Sequence, residues 1–358
     1  MHLIVGLAGI VFIAVMLWDA FETIVLPRRV ARHVRVVVLV RLAWFLWRAM
    51  FGRMQRGGRR ETYLSYFGPL STLLLLTVWA GGMIVGFAML QWGLGSQVSA
   101  PEAHPGFGTD AYISGTTFFT LGLGDVVPRS AGARVALVIE GGVGFSFLAL
   151  VISYLPIIYQ GFSRREARIS MLDAWAGSPP TAGELLRRAG SNTVLLDRFL
   201  SEWEQWSAEL LESHISYPAL AFFRSQHDNE SWLSALTAVL DTCALTIGAL
   251  DGAPRRVAEL TFAMARHSVV DISNVLNCPP EPPHRDRLPD THRGTLLAML
   301  RGAGCPLRDD APAAARVDEL RRMYEPYVNA LSRRLLMPLP DWVGVQGARD
   351  NWQKSRWR

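Results

Sequence analysis

Apolar residues are concentrated in the first half of the chain, where they form long stretches with few charges. Three stretches are long enough to cross a bilayer as helices: Leu3–Pro27, Pro69–Trp92 and Ala133–Tyr159. A fourth, Arg35–Phe51, is shorter and has two arginines on one helix face, where both can reach the membrane surface. The pattern predicts three spans and one interfacial helix, with a fourth span as the alternative for Arg35–Phe51.

After about residue 160, apolar residues recur at spacings of three and four, which is typical of one face of a packed helix. The clearest stripes are Leu196, Phe199, Trp203, Trp206 and Leu210; Trp232, Leu236, Val239 and Cys243; and Val317, Leu320, Tyr324, Tyr327 and Leu331. We expect them to form a core, with subunit contacts as the alternative. Strands do not alternate with helices and the glycine fingerprint of a dinucleotide fold is missing. The second half is therefore predicted to be all-α, interrupted by the proline-rich linker Asn277–Asp290.

Basic residues set the expected orientation in the membrane. The formal net charge of +5 comes almost wholly from arginine, since Lys354 is the only lysine. The basic groups beside the spans are Arg28, Arg29 and Arg32; Arg53, Arg56, Arg59 and Arg60; and Arg164, Arg165 and Arg168. Such groups favour the cytoplasmic side, whereas 93–109 has neither lysine nor arginine, so the N-terminus is expected outside and the C-terminus inside. The abundance of arginine, alanine and glycine suggests a bacterial genome, hence the bacterial inner (plasma) membrane. Three cysteines without metal-type spacing agree with a cytoplasmic second half.

The loop between the last two spans must leave the outer side of the membrane and return to it. "DAYISGTTFF" (110–119) can form about three helical turns into the membrane, and "TLGLGD" (120–125) leads back out. Irregular backbone at this depth requires burial in protein or a water-filled cavity, which four copies around an axis would provide. Gly122 and Gly124 allow a backbone that alternates in hand. The carbonyls of residues 120–123, with the Thr120 hydroxyl, would then replace the water shell of an ion.

This loop resembles the pore helix and signature sequence of tetrameric potassium channels, commonly T-V-G-Y-G-D followed by a proline. The matching positions are Tyr112, Ser114, Thr117, Thr120, Gly122, Gly124, Asp125 and Pro128. Over about 65–160, the resemblance implies a pore domain of the prokaryotic two-helix type, with outer helix, pore helix, filter and inner helix. It also implies a homotetramer in the lipid bilayer. The implied ion-binding filter comprises Thr120, Leu121, Gly122, Leu123, Gly124 and Asp125, with K⁺ held by the carbonyls of the first four.

Two filter positions depart from the family. Leu121 replaces the usual valine, a mild change. Leu123 replaces an aromatic residue whose ring braces the filter in the family, and leucine cannot make the hydrogen bond that such a ring often makes. A potassium-selective channel is the preferred function. The alternatives are a less selective cation channel and a non-conducting membrane-anchored sensor or adaptor.

The last span contains the candidate gating residues. The hinge glycine of the family corresponds to Gly144, although glycines here also allow close helix packing. Pro156 should kink the helix near its inner end, and Leu148 and Ile152 should face the pore if the family register holds. Glu140 is expected to brace the pore helix from behind, with a pore-facing role as the alternative.

Other ionisable residues have simpler expected roles. Asp19 and Glu22 share one face of the first span, and we expect them to reach the interface or meet an arginine. His267 and Asp271 should form a buried pair, with a pH sensor as the alternative. Glu212, His214, His227 and Asp228 are a candidate ligand cluster, although their spacing matches no metal motif. An enzyme, a cofactor and a nucleic-acid partner are not expected. A regulator of the second half is left open, as is the gating stimulus.

The fold class predicted from these patterns is an all-α membrane protein, with a potassium-channel-like pore domain, an extra N-terminal span and an all-α cytoplasmic domain. The expected divisions are an N-terminal span with a basic interfacial helix (1–62), the pore domain (63–162), the helical cytoplasmic domain (163–337) and a basic tail (338–358). The end of that tail, Arg349–Arg358, is expected to be solvated, with contact to anionic lipid as the alternative.

Overall fold

The computed structural model describes residues 2–24, 26, 35–55, 57–101, 104–227, 229–344 and 350–353. Its helices are α1 (His2–Ile24), α2 (Arg35–Phe51), α3 (Gly58–Ser65), α4 (Phe67–Gly93), α5 (Phe107–Phe118), α6 (Ala131–Ala176), α7 (Ala182–Ala189), α8 (Thr193–Ser216), α9 (Trp232–Gly248), α10 (Arg255–Val275), α11 (Asp290–Gly302) and α12 (Ala311–Leu335). Two short strands, β1 (Val98–Ser99) and β2 (Val127–Pro128), and two 3₁₀ turns, Pro218–Phe222 and Asn351–Gln353, complete the described elements. The chain forms two compact units: Met1–Met50 with Pro69–Tyr159, and Phe51–Gly68 with Gln160–Arg358.

Three helical segments in the described part of the chain are long and apolar enough to cross a membrane: His2–Ile24, Gly58–Gly93 and Ala131–Ala176. These three candidate spans coincide with the three that the sequence predicts. The fourth stretch forms α2 over the predicted residues, and its position on the membrane surface stays a prediction. Arg28, Arg29, Arg32, Arg56 and the end of the predicted tail lie outside the described residues.

Helix α1 packs antiparallel against α4 through glycines on both helices. A Cβ on Gly9 would lie 2.7 Å from the Gly86 carbonyl oxygen, and a Cβ on Gly93 would lie 2.3 Å from the Gly6 Cα. Small residues let two membrane helices approach this closely, which increases their van der Waals contact. The predicted extra span is therefore packed tightly along the helix that begins the channel-like region.

Asp19 lies in this α1–α4 interface. Its side chain is buried and accepts a hydrogen bond of 2.8 Å from the Trp79 indole, while Glu22 accepts one of 2.8 Å from Trp18. Around Trp79, apolar side chains of α1, α4, α5 and α6 form one cluster, which includes Met16, Met83, Phe118 and Phe147. The expected polar partner of Asp19 was an arginine or the interface, and the structure adds the indole of a neighbouring span.

The second unit is a bundle of helices, as predicted. The three apolar stripes lie in its core, with only Tyr327 half-buried among their members. Every residue of α9 is buried, and α8, α10 and α12 pack around it. Burial of a whole helix within other helices gives the described part of this domain a helical core.

The linker and the predicted tail contribute to this core. Arg287, from the proline-rich linker, is buried and forms ion pairs with Asp241 at 2.7 Å and with Glu325 at 3.0 Å. Trp342, within the predicted tail, is fully buried, and the Arg287 guanidinium lies 5.7 Å from its ring centre. These two residues belong to no periodic stripe, so the sequence pattern did not place them in the core.

The prediction of a buried His267–Asp271 pair is half wrong. The pair forms, with 2.9 Å between Nε2 and Oδ2, but the His267 side chain is 52% exposed. Its helix neighbour Leu260 is also exposed. The 3,4 spacing correctly placed His267 and Leu260 on one face of α10. That face is exposed and the opposite face packs on the bundle. Spacing alone does not indicate which face of a helix is covered.

The buried histidine of this unit is His214, whose Nδ1 lies 2.8 Å from the Leu210 carbonyl oxygen and whose Nε2 lies 3.3 Å from Arg165. Burial, followed by the nearby Arg165 charge, lowers the pKa of His214 from 6.5 to about 3. Between pH 6.5 and about pH 3, His214 is therefore protonated in the unfolded chain but neutral in the folded chain. The His214 contribution to stability is complete above pH 6.5 and is lost as the pH falls towards 3.

We expect His214→Gln to flatten the dependence of stability on pH. For the wild type, this histidine lowers the free energy of unfolding by up to about 1.4 kcal/mol per pH unit below 6.5. The melting temperature of the full-length protein, measured by circular dichroism between pH 7 and pH 4, should fall less steeply in the variant. The control His267→Gln, at an exposed histidine, should keep the wild-type slope. Equal slopes for both variants would contradict the assignment.

Candidate functional site: the re-entrant loop

Helix α5 is the predicted re-entrant helix and is held by polar contacts on two sides. The Ser114 hydroxyl lies 2.8 Å from the Ile84 carbonyl oxygen of α4 and also contacts the Glu140 carboxyl group of α6. Asp110, near the start of α5, is buried and accepts a 2.6 Å hydrogen bond from Ser96. Glu140 is fully buried behind α5, so its predicted bracing role is confirmed. The helix that presents the loop is thus fixed to both neighbouring spans.

The backbone after α5 alternates in hand. Thr120, Gly122 and Gly124 have φ angles of 58°, 57° and 78°, whereas Leu121 and Leu123 between them do not have positive φ. Glycine adopts this region without steric cost, but threonine does not, because its branched Cβ is crowded there. An alternating backbone is what a row of carbonyls on one side of the chain requires.

Hydrogen bonds to the end of α5 hold this backbone in place. The Thr116 carbonyl oxygen accepts from the amides of Leu121 at 2.7 Å and Gly122 at 3.4 Å, and the Thr117 carbonyl accepts from Thr120 at 3.0 Å. These amides point back towards α5. Free carbonyls at a helix C-terminus carry partial negative charge, so they are suited both to accept these bonds and to favour a cation nearby.

The outer end of the loop has its own anchors. The Tyr112 hydroxyl donates a 2.8 Å hydrogen bond to Asp125. Just beyond, β1 pairs antiparallel with β2, which the sequence did not predict because two-residue strands have no readable periodicity. Leu123 is 63% exposed in the single chain. Tyr112 therefore ties α5 to the acid at the outer end of the loop.

The predicted gating residues lie on one unbroken helix. Gly144 packs so closely on α5 that an added Cβ would lie 2.1 Å from the Phe118 carbonyl oxygen. Leu148 and Ile152 are exposed in the single chain, and α6 continues through Pro156. The close packing that was one of the two interpretations of Gly144 is therefore observed. Its role as a hinge and the gating roles of Leu148, Ile152 and Pro156 stay predictions.

The other candidate cluster does not assemble into a site. Glu212 is exposed and accepts from Ser216, while His214 is buried against Arg165. Asp228 lies outside the described residues. In the part of the chain that the structure describes, no group of three His, Cys, Asp or Glu side chains is arranged to hold a metal ion.

Comparison with known proteins places the loop in a family context. Residues 73–160 match the family model described as "Ion channel". No curated protein and no solved structure is similar enough to this chain to count as a match. The matched region contains most of α4 and all of α5, the loop and the apolar part of α6. The chain is therefore an all-α membrane protein in which residues 73–160 are similar to an ion-channel family, and the match supports an ion channel as its function.

Proposed function

We propose that the chain is a potassium-selective channel in which four copies surround a pore lined by the carbonyls of residues 120–123. The observation that supports this most directly is the alternating backbone at Thr120, Gly122 and Gly124. Four loops facing one axis would offer rings of carbonyl oxygens in place of the ion's water shell. The family match over 73–160 supports the coarser part of the proposal, an ion channel.

In the proposed orientation, the residues after α6 lie in the cytoplasm of a bacterial cell, and Leu148 and Ile152 line the pore on the inner side of the filter. Filter rigidity is supplied by Ser114, Glu140 and Tyr112 in place of an aromatic residue at position 123. A less selective cation channel is the second candidate, because Leu123 offers no hydrogen bond with which a neighbouring helix could brace the filter.

Ion uptake into liposomes tests both candidates. Purified wild-type protein should take up rubidium, a potassium substitute, faster than sodium. Leu123→Tyr should keep conduction and raise the rubidium-to-sodium ratio by about tenfold, if the added ring reaches a partner worth about 1.4 kcal/mol to the selective conformation.

The control is Leu121→Val, which restores the aliphatic residue that is usual in the resembled family without adding a hydrogen-bond donor. Its ratio should stay within twofold of wild type. Equal rubidium and sodium uptake in the wild type would favour the less selective pore, and absence of any uptake would contradict the proposed function.

A further inference from the structure

One short segment of the second unit contacts α4 and α6 through those of their residues that belong to this unit. It consists of the 3₁₀ turn Pro218–Phe222 with Phe223 and Arg224, and is called the hook below. Helix α6 runs from its apolar part into this unit without a break, and α4 begins at Phe67, directly after α3. The hook therefore meets the end of α6 and the start of α4 within one packed unit.

The part of α6 that follows its apolar stretch is held by Arg165. Its guanidinium is buried and donates to the hook carbonyls of Leu220 at 2.9 Å and Phe223 at 2.8 Å, while Glu166 balances its charge at 2.9 Å. Gly161, one turn earlier, packs on the same segment, since an added Cβ would lie 3.1 Å from the end of the Leu220 side chain. A planar guanidinium can hold two carbonyls at a fixed spacing, which an ammonium group cannot do.

The start of α4 is held by the same segment. Phe67 packs edge-to-face on Phe222 with 5.2 Å between ring centres. Gly68 fits against Phe223 so closely that a Cβ would lie 2.7 Å from the ring. Aromatic rings packed edge-to-face stabilise a contact by more than the burial of their apolar area alone.

Arg224 extends the hook to α3 and α12. It donates to Glu61 of α3 at 2.8 Å and to the Leu335 and Leu336 carbonyl oxygens at the end of α12 at 2.6 and 3.2 Å. The guanidinium is mostly buried, so each of these bonds is made away from competing water. Arg224 thus fixes the helix preceding α4 to the core of the bundle.

We propose that the hook is the joint through which the helical domain sets the spacing of the two pore helices, with Arg165 and Arg224 as its positioning residues. The proposal rests on the proposed channel function. The start of α4 and the segment of α6 around Arg165 both contact the hook. They cannot move apart unless the hydrogen bonds of Arg165 or Arg224 break or the hook moves with one of the helices. Packed segments of this kind have discrete arrangements rather than a continuous range, so a change in the bundle reaches both helices together.

The test uses the full-length protein in planar bilayers and compares Arg165→Lys and Arg224→Lys with wild type. Lysine keeps the charge but cannot hold two carbonyls in a plane. Each variant should change the open probability at least about fivefold, in the same direction, with single-channel conductance and the rubidium-to-sodium ratio unchanged. The double variant should change it no more than the larger single variant, because both act on one joint.

Arg168→Lys is the matched control, since Arg168 lies on the same helix and forms a half-exposed pair with Glu202 at 3.5 Å. It should behave as wild type. If either arginine variant does not assemble, Gly161→Ala replaces it, because its methyl group presses on the flexible Leu220 side chain of the hook and removes no ion pair. An unchanged open probability in the assembled variants, or additive effects in the double variant, would overturn the joint. Absence of ion flux in the wild type would instead remove the channel function and the joint with it.

Discussion

Gly122→Ala is expected to abolish ion flux while the assembled protein remains intact. The position has a φ of 57° and no heavy atom within 4 Å of an added Cβ, so the penalty comes from the backbone conformation and not from a clash with neighbours. That conformation costs an alanine roughly 1–2 kcal/mol, and on the order of 4–8 kcal/mol when four chains share one pore. A cost of this size lowers the population of the conducting filter by at least about a hundredfold. Rubidium uptake into liposomes measures the loss, and size-exclusion chromatography measures assembly.

Gly108→Ala is the matched control for this substitution. Gly108 lies in α5, has an ordinary helical φ and likewise has no heavy atom within 4 Å of a Cβ. Alanine is favoured over glycine in a helix, so flux should stay within twofold of wild type. Normal flux in Gly122→Ala would contradict the assignment of residues 120–125 as the filter and, with it, the proposed channel.

Gly144→Ala is expected to destabilise the pore domain and to reduce flux at least tenfold. Its Cβ would lie 2.1 Å from the Phe118 carbonyl oxygen and 2.8 Å from the carbonyl carbon. These are backbone atoms, so no side-chain rotation relieves the contact. The end of α5 must shift instead, at a cost of about 1–3 kcal/mol per chain. The Thr116 and Thr117 carbonyls, which accept hydrogen bonds from the filter amides, lie only one or two residues before Phe118. A shift of Phe118 therefore disturbs the filter. Thermal unfolding and rubidium uptake together measure the effect.

Gly142→Ala, two residues earlier on α6, is the control because its added Cβ meets no heavy atom within 4 Å in the chain. It should leave both measurements near wild type. The two interpretations of Gly144, a hinge and close packing on α5, predict different combinations of flux and melting temperature. Loss of flux with an unchanged melting temperature would favour a hinge, whereas a lowered melting temperature with loss of flux would follow from close packing on α5.

Much of the re-entrant loop could be predicted from the sequence. Gly122 and Gly124 indicated a backbone of alternating hand, and the length of the preceding stretch indicated a short helix. Thr120 was assigned to the filter, but its positive φ was not predicted, because β-branched residues avoid that region. The Thr120 amide donates to the Thr117 carbonyl, and the next two amides donate to the Thr116 carbonyl, which holds this backbone in place. The carbonyls of a helix C-terminus leave no mark in the residue pattern.

Polar contacts within the membrane domain were harder to predict. Glu140 was correctly expected behind the re-entrant helix, since a buried acid on the inner helix needs a polar partner. The Asp110–Ser96 and Asp19–Trp79 bonds were missed. Each joins residues far apart along the chain or separated by a loop, and an indole or hydroxyl gives no charge signal. To predict the contact between Trp79 and Asp19, one would have to know that α1 packs antiparallel on α4.

The sequence by itself determined the main helices, the three candidate spans, the glycine-containing loop after α5 and the helical second half. These follow from local spacing, since burial of apolar residues and backbone freedom at glycine act on neighbours in the chain. Only the tertiary structure decided which face of α10 is covered, that Gly144 meets Phe118, and that the hook holds α4 and α6 together. These contacts depend on how helices cross, and a helix of given periodicity can pack in several ways until its partners are fixed.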